Sequence, residues 1–111
     1  MIIKSIELAD YRNYDSLTLF FENGTNILYG DNAQGKTNIL EAIYVAATTK
    51  SHKGSKDREI IRFDKEEAHI RTYLENDHVE TRVDMHLRKN KSKGIAIDGQ
   101  KIIKAADLMG L

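Results

Sequence analysis

Residues 30–37 read Gly-Asp-Asn-Ala-Gln-Gly-Lys-Thr, the pattern G-x-x-x-x-G-K-[ST]. No other stretch constrains the fold as much. Such a loop works only between a strand and a helix, because its glycines let the backbone wrap with N–H groups inward while the helix offers its first turn to an anion. The flanks comply. Asn26-Ile27-Leu28-Tyr29 is a short apolar run of strand character, and behind the loop Ile39, Ile43, Ala46 and Ala47 recur on one helical face flanked by Leu40 and Tyr44. At ordinary glycine frequency, a chance match in a chain this short occurs on the order of a few times per thousand. The context argues further against a glycine-rich turn with a fortuitous lysine.

The spacing has a chemical reason. A side chain at Gly30 or Gly35 would crowd a phosphate, and Asp31, Asn32, Ala33 and Gln34 complete the loop between them. Lys36 supplies a flexible point charge for the β- and γ-phosphates, and the Thr37 hydroxyl is the expected Mg²⁺ ligand. ATP or another nucleoside triphosphate, with Mg²⁺, is the implied cofactor.

With 111 residues the chain suits one modest domain. Lys+Arg and Asp+Glu balance at 17 each, so no global basic field draws in nucleic acid, and any DNA contact has to come from a local patch. The absence of cysteine removes disulfides, thiolate zinc sites and cysteine nucleophiles. The longest apolar stretch, residues 42–47, is too short to cross a bilayer, and no secretory signal is visible. No membrane partner and a cytoplasmic location are expected. A hydrophobic content of 41% favours a packed core over disorder.

Ahead of the loop, three strands are expected: one with Ile2, Ile6 and Leu8, a second with Leu17, Leu19 and Phe21, and after the turn Glu22-Asn23-Gly24 the apolar run 26–29. The helix behind the loop fades at Thr48-Thr49-Lys50 and stops by Gly54; a further helical turn is expected over 55–62, with Ser55 as N-cap and Arg58 breaking the capping-box pattern. Residues 67–103 read as an antiparallel meander. A turn at Asn76-Asp77 sets Ile70 opposite Val83, Leu74 opposite Val79 and Ala68 opposite Met85 on one face. The other face then carries His69, Tyr73 and Glu75 against Asp84, Glu80 and His78. A three-residue loop, Asn90-Lys91-Ser92, sets Ile95 opposite Leu87 and Ile97 opposite Met85; Asp98-Gly99 is a further turn, and residues 104–111 look like the start of a helix.

The order of these elements favours the head of an ABC-type ATPase. In P-loop kinases and small GTPases the loop usually follows the first strand and βα units come next, whereas here about two strands precede it and an antiparallel sheet follows its helix. The expected class is α/β with α+β character: a partial ABC-ATPase lobe with a mixed sheet, a P-loop helix and an antiparallel meander. Residues 1–66 would be the nucleotide-binding core and 67–103 the hairpins.

Three stretches carry a resemblance to a known family: Ile6-Glu7-Leu8-Ala9-Asp10-Tyr11-Arg12-Asn13-Tyr14, the loop 30–37 with Asn38-Ile39-Leu40-Glu41-Ala42-Ile43 behind it, and Lys50-Ser51-His52-Lys53. They resemble the N-terminal part of the RecF family of bacterial recombination-repair ATPases, relatives of the SMC heads. The likeness is strong over roughly the first sixty residues and rests on pattern alone through the hairpins. It implies a two-lobed head that binds ATP and Mg²⁺ and forms a homodimer when ATP is bound, with two nucleotides sandwiched between subunits. It also implies binding to DNA at gaps and single-strand/double-strand junctions, and work with the RecO and RecR proteins in loading recombinase. Arg12 and Asn13 match a family position close to the nucleotide.

The resemblance implies that the catalytic carboxylate, the signature sequence and a glutamine-bearing loop lie beyond residue 111. Three stretches could be mistaken for the carboxylate strand. Ile95-Ala96-Ile97-Asp98 runs into Gly99, which makes a turn; Ile60-Ile61-Arg62-Phe63-Asp64 carries an arginine in its middle; Thr81-Arg82-Val83-Asp84 alternates. No catalytic residue is therefore assigned in the chain. It is expected to present phosphates without appreciable hydrolysis, and as a severed lobe to expose apolar surface.

Other signals are weaker. Arg88, Lys89, Lys91 and Lys93 crowd a hairpin tip and read as a solvated turn before they read as a DNA contact. Lys50, His52, Lys53 and Lys56 follow the loop helix and read equally as a cluster reaching the base or the DNA side and as cations drawn to a helix C-terminus by its dipole. His69, His78 and His86 face acids in the preferred register (Asp84, Glu75 and Glu67), so solvated pairs are expected there and not a zinc site. The competing function is a P-loop kinase or other phosphotransferase. An apolar strand ending in Asp-Glu with a Ser-Gly-Gly-like signature would favour the ATPase; an arginine-bearing lid would favour the kinase. A folded piece without independent activity is a third reading, compatible with the first.

Overall fold

Period-two alternation of apolar residues builds six strands in the computed structural model, which describes residues 2–21, 33–48 and 56–102, with backbone alone over 33–37. Strands β1 (Ile2–Tyr11) and β2 (Tyr14–Phe20) precede helix α1 (Ala33–Thr48). A single helical turn, α2 (Asp57–Ile60), leads into β3 (Glu67–Asn76), β4 (Val79–Arg88), β5 (Gly94–Ile97) and β6 (Gln100–Ile102). The expected turn 22–24, the strand 26–29, loop residues Gly30, Asp31 and Asn32, the cap Ser55 and the helix over 104–111 lie outside the described residues.

The strands form one sheet in the order β2-β1-β3-β4-β5-β6, and every ladder among the described residues is antiparallel. Pairing of β1 with β3 joins the segment ahead of the loop to the meander behind it. One face of the sheet is dry. Ile6 and Leu8 of β1, Ala68 and Ile70 of β3, Val83, Met85 and Leu87 of β4 and Ile95 of β5 are buried there in one cluster with Ala42, Val45 and Ala46 of α1 and Ile60 and Ile61. The other face is wet, as expected of a half-buried antiparallel sheet. A β-bulge between Ile3 and Ser5 inverts the alternation upstream, so Ile3 pairs with Leu74 and Ile2 is exposed.

The meander keeps its expected faces and changes its partners. The first turn is Asp77-His78, both at positive φ (52° and 65°), which is the type I′ pattern; Asn76 stays in the ladder opposite Val79. Moving the turn by one residue slides the register by two, so Ile70 pairs with Met85, Ala68 with Leu87 and Leu74 with Thr81, with the apolar side unchanged. On the wet side His69 faces His86, Arg71 faces Asp84, Tyr73 faces Arg82 and Glu75 faces Glu80, and the expected His69–Asp84 pair is not formed. The second hairpin slides likewise. Met85 pairs with Ile95 and Val83 with Ile97, and the Arg88 guanidinium closes the wider tip by donating to the Ser92 carbonyl at 2.8 and 3.2 Å. Asp98-Gly99 forms the expected turn, at φ 50° and 85°.

Helix α1 presents a different face from the one its apolar period indicates. Asn38, Glu41, Ala42, Val45 and Ala46 are buried, Ile43 is half-buried, and Ala47, Leu40 and Tyr44 are exposed. The rotation has a cause: two polar residues are drawn inward, Glu41 by partners on the β1–β2 turn, and periodicity of apolar residues alone cannot register them. In α2, Lys56 occupies the N-cap position, and the Glu59 carboxylate accepts its backbone N–H at 3.0 Å. Glu59, one residue beyond Arg58, thus supplies the acidic half of a capping box.

Candidate nucleotide-binding site

The helix that must carry a phosphate loop begins where the loop ends. Helix α1 starts at Ala33, so Ala33, Gln34, Gly35, Lys36 and Thr37 occupy its first turns, at the end where a helix's first N–H groups have no carbonyl partner within it and the dipole is positive. That backbone is the donor set a phosphate requires, and a threonine hydroxyl in the same turn is the hard oxygen that Mg²⁺ accepts. Gly30, Asp31 and Asn32 lie outside the described residues.

Arg12 and Asn13 form the two-residue turn between β1 and β2, next to the Tyr11–Tyr14 pair. Arg12 has φ +53°, while Asn13 is not among the residues at positive φ; this is the type II′ pattern, whose first central position ordinarily takes glycine. Asp10 is also at φ +53°. A bulky residue in the left-handed region costs about 1–2 kcal/mol and persists only where its surroundings hold it. Here they do. The Arg12 backbone N–H donates to the Ile60 carbonyl at 2.7 Å, the Arg62 N–H donates to the Asp10 carbonyl at 2.8 Å, and Tyr11 bridges to Ile61.

The side chains then converge on Glu41. Arg12 Nη2 donates to Glu41 Oε2 at 2.8 Å and Nε to Oε1 at 3.0 Å, a bidentate fork, and the Tyr11 hydroxyl donates to Oε1 at 2.8 Å. Arg12 Nη1 also reaches the Glu59 carbonyl at 3.3 Å. Glu41 and Tyr11 are fully buried. Burial first, then the hydrogen bond to Glu41, pushes the Tyr11 phenol far above its ordinary range, so it stays a donor. The bond to Glu41 likewise raises Arg12. Glu41 lies one helical turn beyond Lys36 and Thr37, so the hairpin tip is tied to the helix that carries the loop.

Tyr11 and Glu41 are site residues that sequence patterning passes over. The available signal is a carboxylate at Glu41 inside the otherwise apolar run 39–47, on the side that also holds Ala42 and Val45. The basic residues divide. Lys93 pairs with Asp57 at 3.0 Å, Lys89 reaches the Phe63 carbonyl at 3.5 Å and Arg88 holds Ser92, so these three brace the hairpin tip. Lys50, His52 and Lys53 lie outside the described residues. No helix among the described residues is long and apolar enough to cross a membrane.

Comparison with known proteins agrees with the fold. Residues 5–108 match the AAA domain family. The chain is 63% identical over 111 residues to a protein of Lachnoclostridium phytofermentans named DNA replication and repair protein RecF, and 62% identical to one of the same name from Agathobacter rectalis. All of the chain is aligned in both, and it spans 31% of the length of each relative. Among solved structures it superposes on the recombination mediator protein RecF with ATP, with a TM-score of 0.89 and 34% identity, covering 98% of this chain and 30% of that one. An SMC ATPase gives a TM-score of 0.83 at 18% identity, covering 97% of this chain and 75% of that chain, and shows the shared fold.

Proposed function

Because this chain belongs to the AAA domain family, we propose that it is the ATP-binding N-terminal portion of a DNA replication and repair protein of the RecF kind. The observation that carries the proposal is the placement of Gly35, Lys36 and Thr37 in the first turns of α1, on a helix whose next turn holds Glu41 and through it Arg12. Residues 30–37 cradle the phosphates, Lys36 neutralises their outer charge, Thr37 offers the Mg²⁺ ligand, and Arg12 with Asn13 borders the nucleotide. Residues 1–66 act as the nucleotide-binding core and 67–103 as the supporting hairpins. Mg²⁺, when bound, screens the charge on the outer phosphates; this chain's own residues bind and orient them.

Beyond nucleotide binding, the whole protein is proposed to bind single-stranded or gapped DNA as an ATP-dependent homodimer and to act with RecO and RecR proteins in loading recombinase in the cytoplasm. Identity above 60% to proteins named for DNA replication and repair supports this, and no observation favours the phosphotransferase.

Titration of a fluorescent ATP analogue in the presence of Mg²⁺ tests the core of the proposal. Saturable binding is expected, weakened about 10- to 100-fold by Lys36→Ala, the worth of one charge-assisted phosphate contact. Equal affinity in the variant would overturn it.

A further inference from the structure

We propose that Glu67, His69 and His86 form a binding site for a borderline divalent transition-metal ion, zinc foremost, on the wet face of the sheet. The site exists because of the register. With the turn at Asp77-His78, His69 and His86 are directly opposed across β3 and β4, and their rings stack with centroids 4.3 Å apart and planes 16° from parallel. Glu67 precedes His69 by two residues and so shares its face. One ligand atom from each residue lies within 4.8 Å of the other two. Glu67 Oε1 and His86 Nε2 are already 3.3 Å apart. Donors around a tetrahedral zinc, with bonds of about 2.0–2.1 Å, stand about 3.3–3.4 Å from one another. That pair has the required spacing, and the third closes by rotation of the exposed His69 side chain.

A second observation points the same way. His86 Nε2 is buried and has no hydrogen-bond partner among the described residues, although the Glu67 oxygen is near. An unbonded buried imidazole nitrogen beside a carboxylate is costly, and a cation between the two gives both a partner. The surroundings admit one. His69 and His86 line a hollow of about 360 Å³ bordered by Ser16 and Thr18, with room for water as a fourth ligand. Of the nearby cations, Arg71 is held by Asp84 at 2.6 Å, and Arg88, opposite Glu67, donates to the Ser92 carbonyl at 2.8 Å. Two imidazoles with one carboxylate select zinc, copper or nickel over Mg²⁺, which prefers oxygen donors and waters. The site is thus chemically separate from the nucleotide loop, and a bound ion would clip β3 to β4.

Zinc chloride titrated into the purified protein, with magnesium chloride as comparator, decides the matter by calorimetry and thermal melting. One zinc is expected to bind, with Tm raised by about 10 °C at a concentration about 100 times the dissociation constant; magnesium should leave Tm unchanged. Cobalt should give the visible absorption of a tetrahedral nitrogen–oxygen site. His69→Gln and Glu67→Gln, both exposed and compatible with folding, are each expected to weaken zinc at least tenfold, as is His86→Gln if it folds, while His78→Gln should have no effect. Failure of zinc to bind, or equal affinity in His69→Gln and Glu67→Gln, would overturn the site. Neither result bears on nucleotide binding.

Discussion

Glu41 is a carboxylate with no exposed surface, and Arg12 and Tyr11 both donate to its ionised form. Deleting Arg12 therefore does more than remove a contact: it takes the bidentate cation away from a buried charge. Arg12→Ala is expected to destabilise the fold by about 3 kcal/mol, the low end for a broken buried pair, since the guanidinium keeps some access to water. Arg12→Gly should cost about 1 kcal/mol less, because glycine relieves the left-handed backbone at this turn while losing the same fork. Urea unfolding of both variants checks the order; equal losses would mean that the turn stores no strain. At the surface the scale is smaller. The Lys4 ammonium, 3.0 Å from Glu75, lowers that carboxyl below its ordinary 4.5 chiefly by hydrogen bonding. A lowered folded-state value means that the pair stabilises the protein above about pH 4.5 and that this contribution is lost as pH falls through the folded value. In carbon-detected titration Glu75 should ionise below 4.5, and Lys4→Gln should move it back up. At this scale the sequence announced the phosphate loop, because its spacing has one physical use. It left Glu41 as one carboxylate in an apolar run, because the partners that hold it lie 29 and 30 residues away.

Elements were legible wherever a face alternates or a helix repeats. β1 and β2, the two hairpins of the meander and α1 all stand where periodicity puts them, and the dry side of β3, β4 and β5 holds most of the residues expected there, whereas Val79, expected on that side, is exposed beside the turn. Turn positions were not legible to the residue. Asn76-Asp77 and Asp77-His78 are both acceptable type I′ pairs by composition, and either preserves the apolar face, so the hydrophobic pattern gives no vote between them. The choice nevertheless decides which polar groups meet, and it converts His69–Asp84 into His69–His86. Helix α1 differs by rotation instead, since Asn38 and Glu41 are buried and Ala47 is not. The observed turn makes its own forecast. His78 sits at φ +65° in the second central position, where glycine is preferred. His78→Gly is expected to stabilise the hairpin by about 0.5 kcal/mol, the left-handed cost removed less the added chain entropy. A lower urea midpoint in that variant would show that the His78–Glu75 contact, at 3.8 Å, outweighs the backbone term.

For the molecule as a whole the question is whether a phosphate-binding loop is accompanied by a group able to orient the attacking water. Of the three acids that end strand-like runs, each is committed elsewhere. Asp98 accepts the Arg82 backbone N–H at 2.8 Å inside a tight turn, Asp64 pairs with Arg62 at 3.0 Å, and Asp84 is gripped by Arg71 at 2.6 Å and Arg82 at 2.8 Å on the wet face. Glu41, one helical turn beyond Thr37, is occupied by Arg12 and Tyr11. Each of these four carboxylates is thus already held by a hydrogen bond or ion pair within the described residues. The proposed function predicts nucleotide binding, with these four carboxylates contributing no appreciable hydrolysis. Phosphate release at saturating ATP and Mg²⁺ is expected to equal that of Lys36→Ala within error, while the binding titration separates the two proteins by at least tenfold. Turnover that exceeds the variant's and disappears in Asp64→Asn, Asp84→Asn or Asp98→Asn would refute the expectation, because it would identify a carboxylate that leaves its arginine or amide partner when nucleotide arrives.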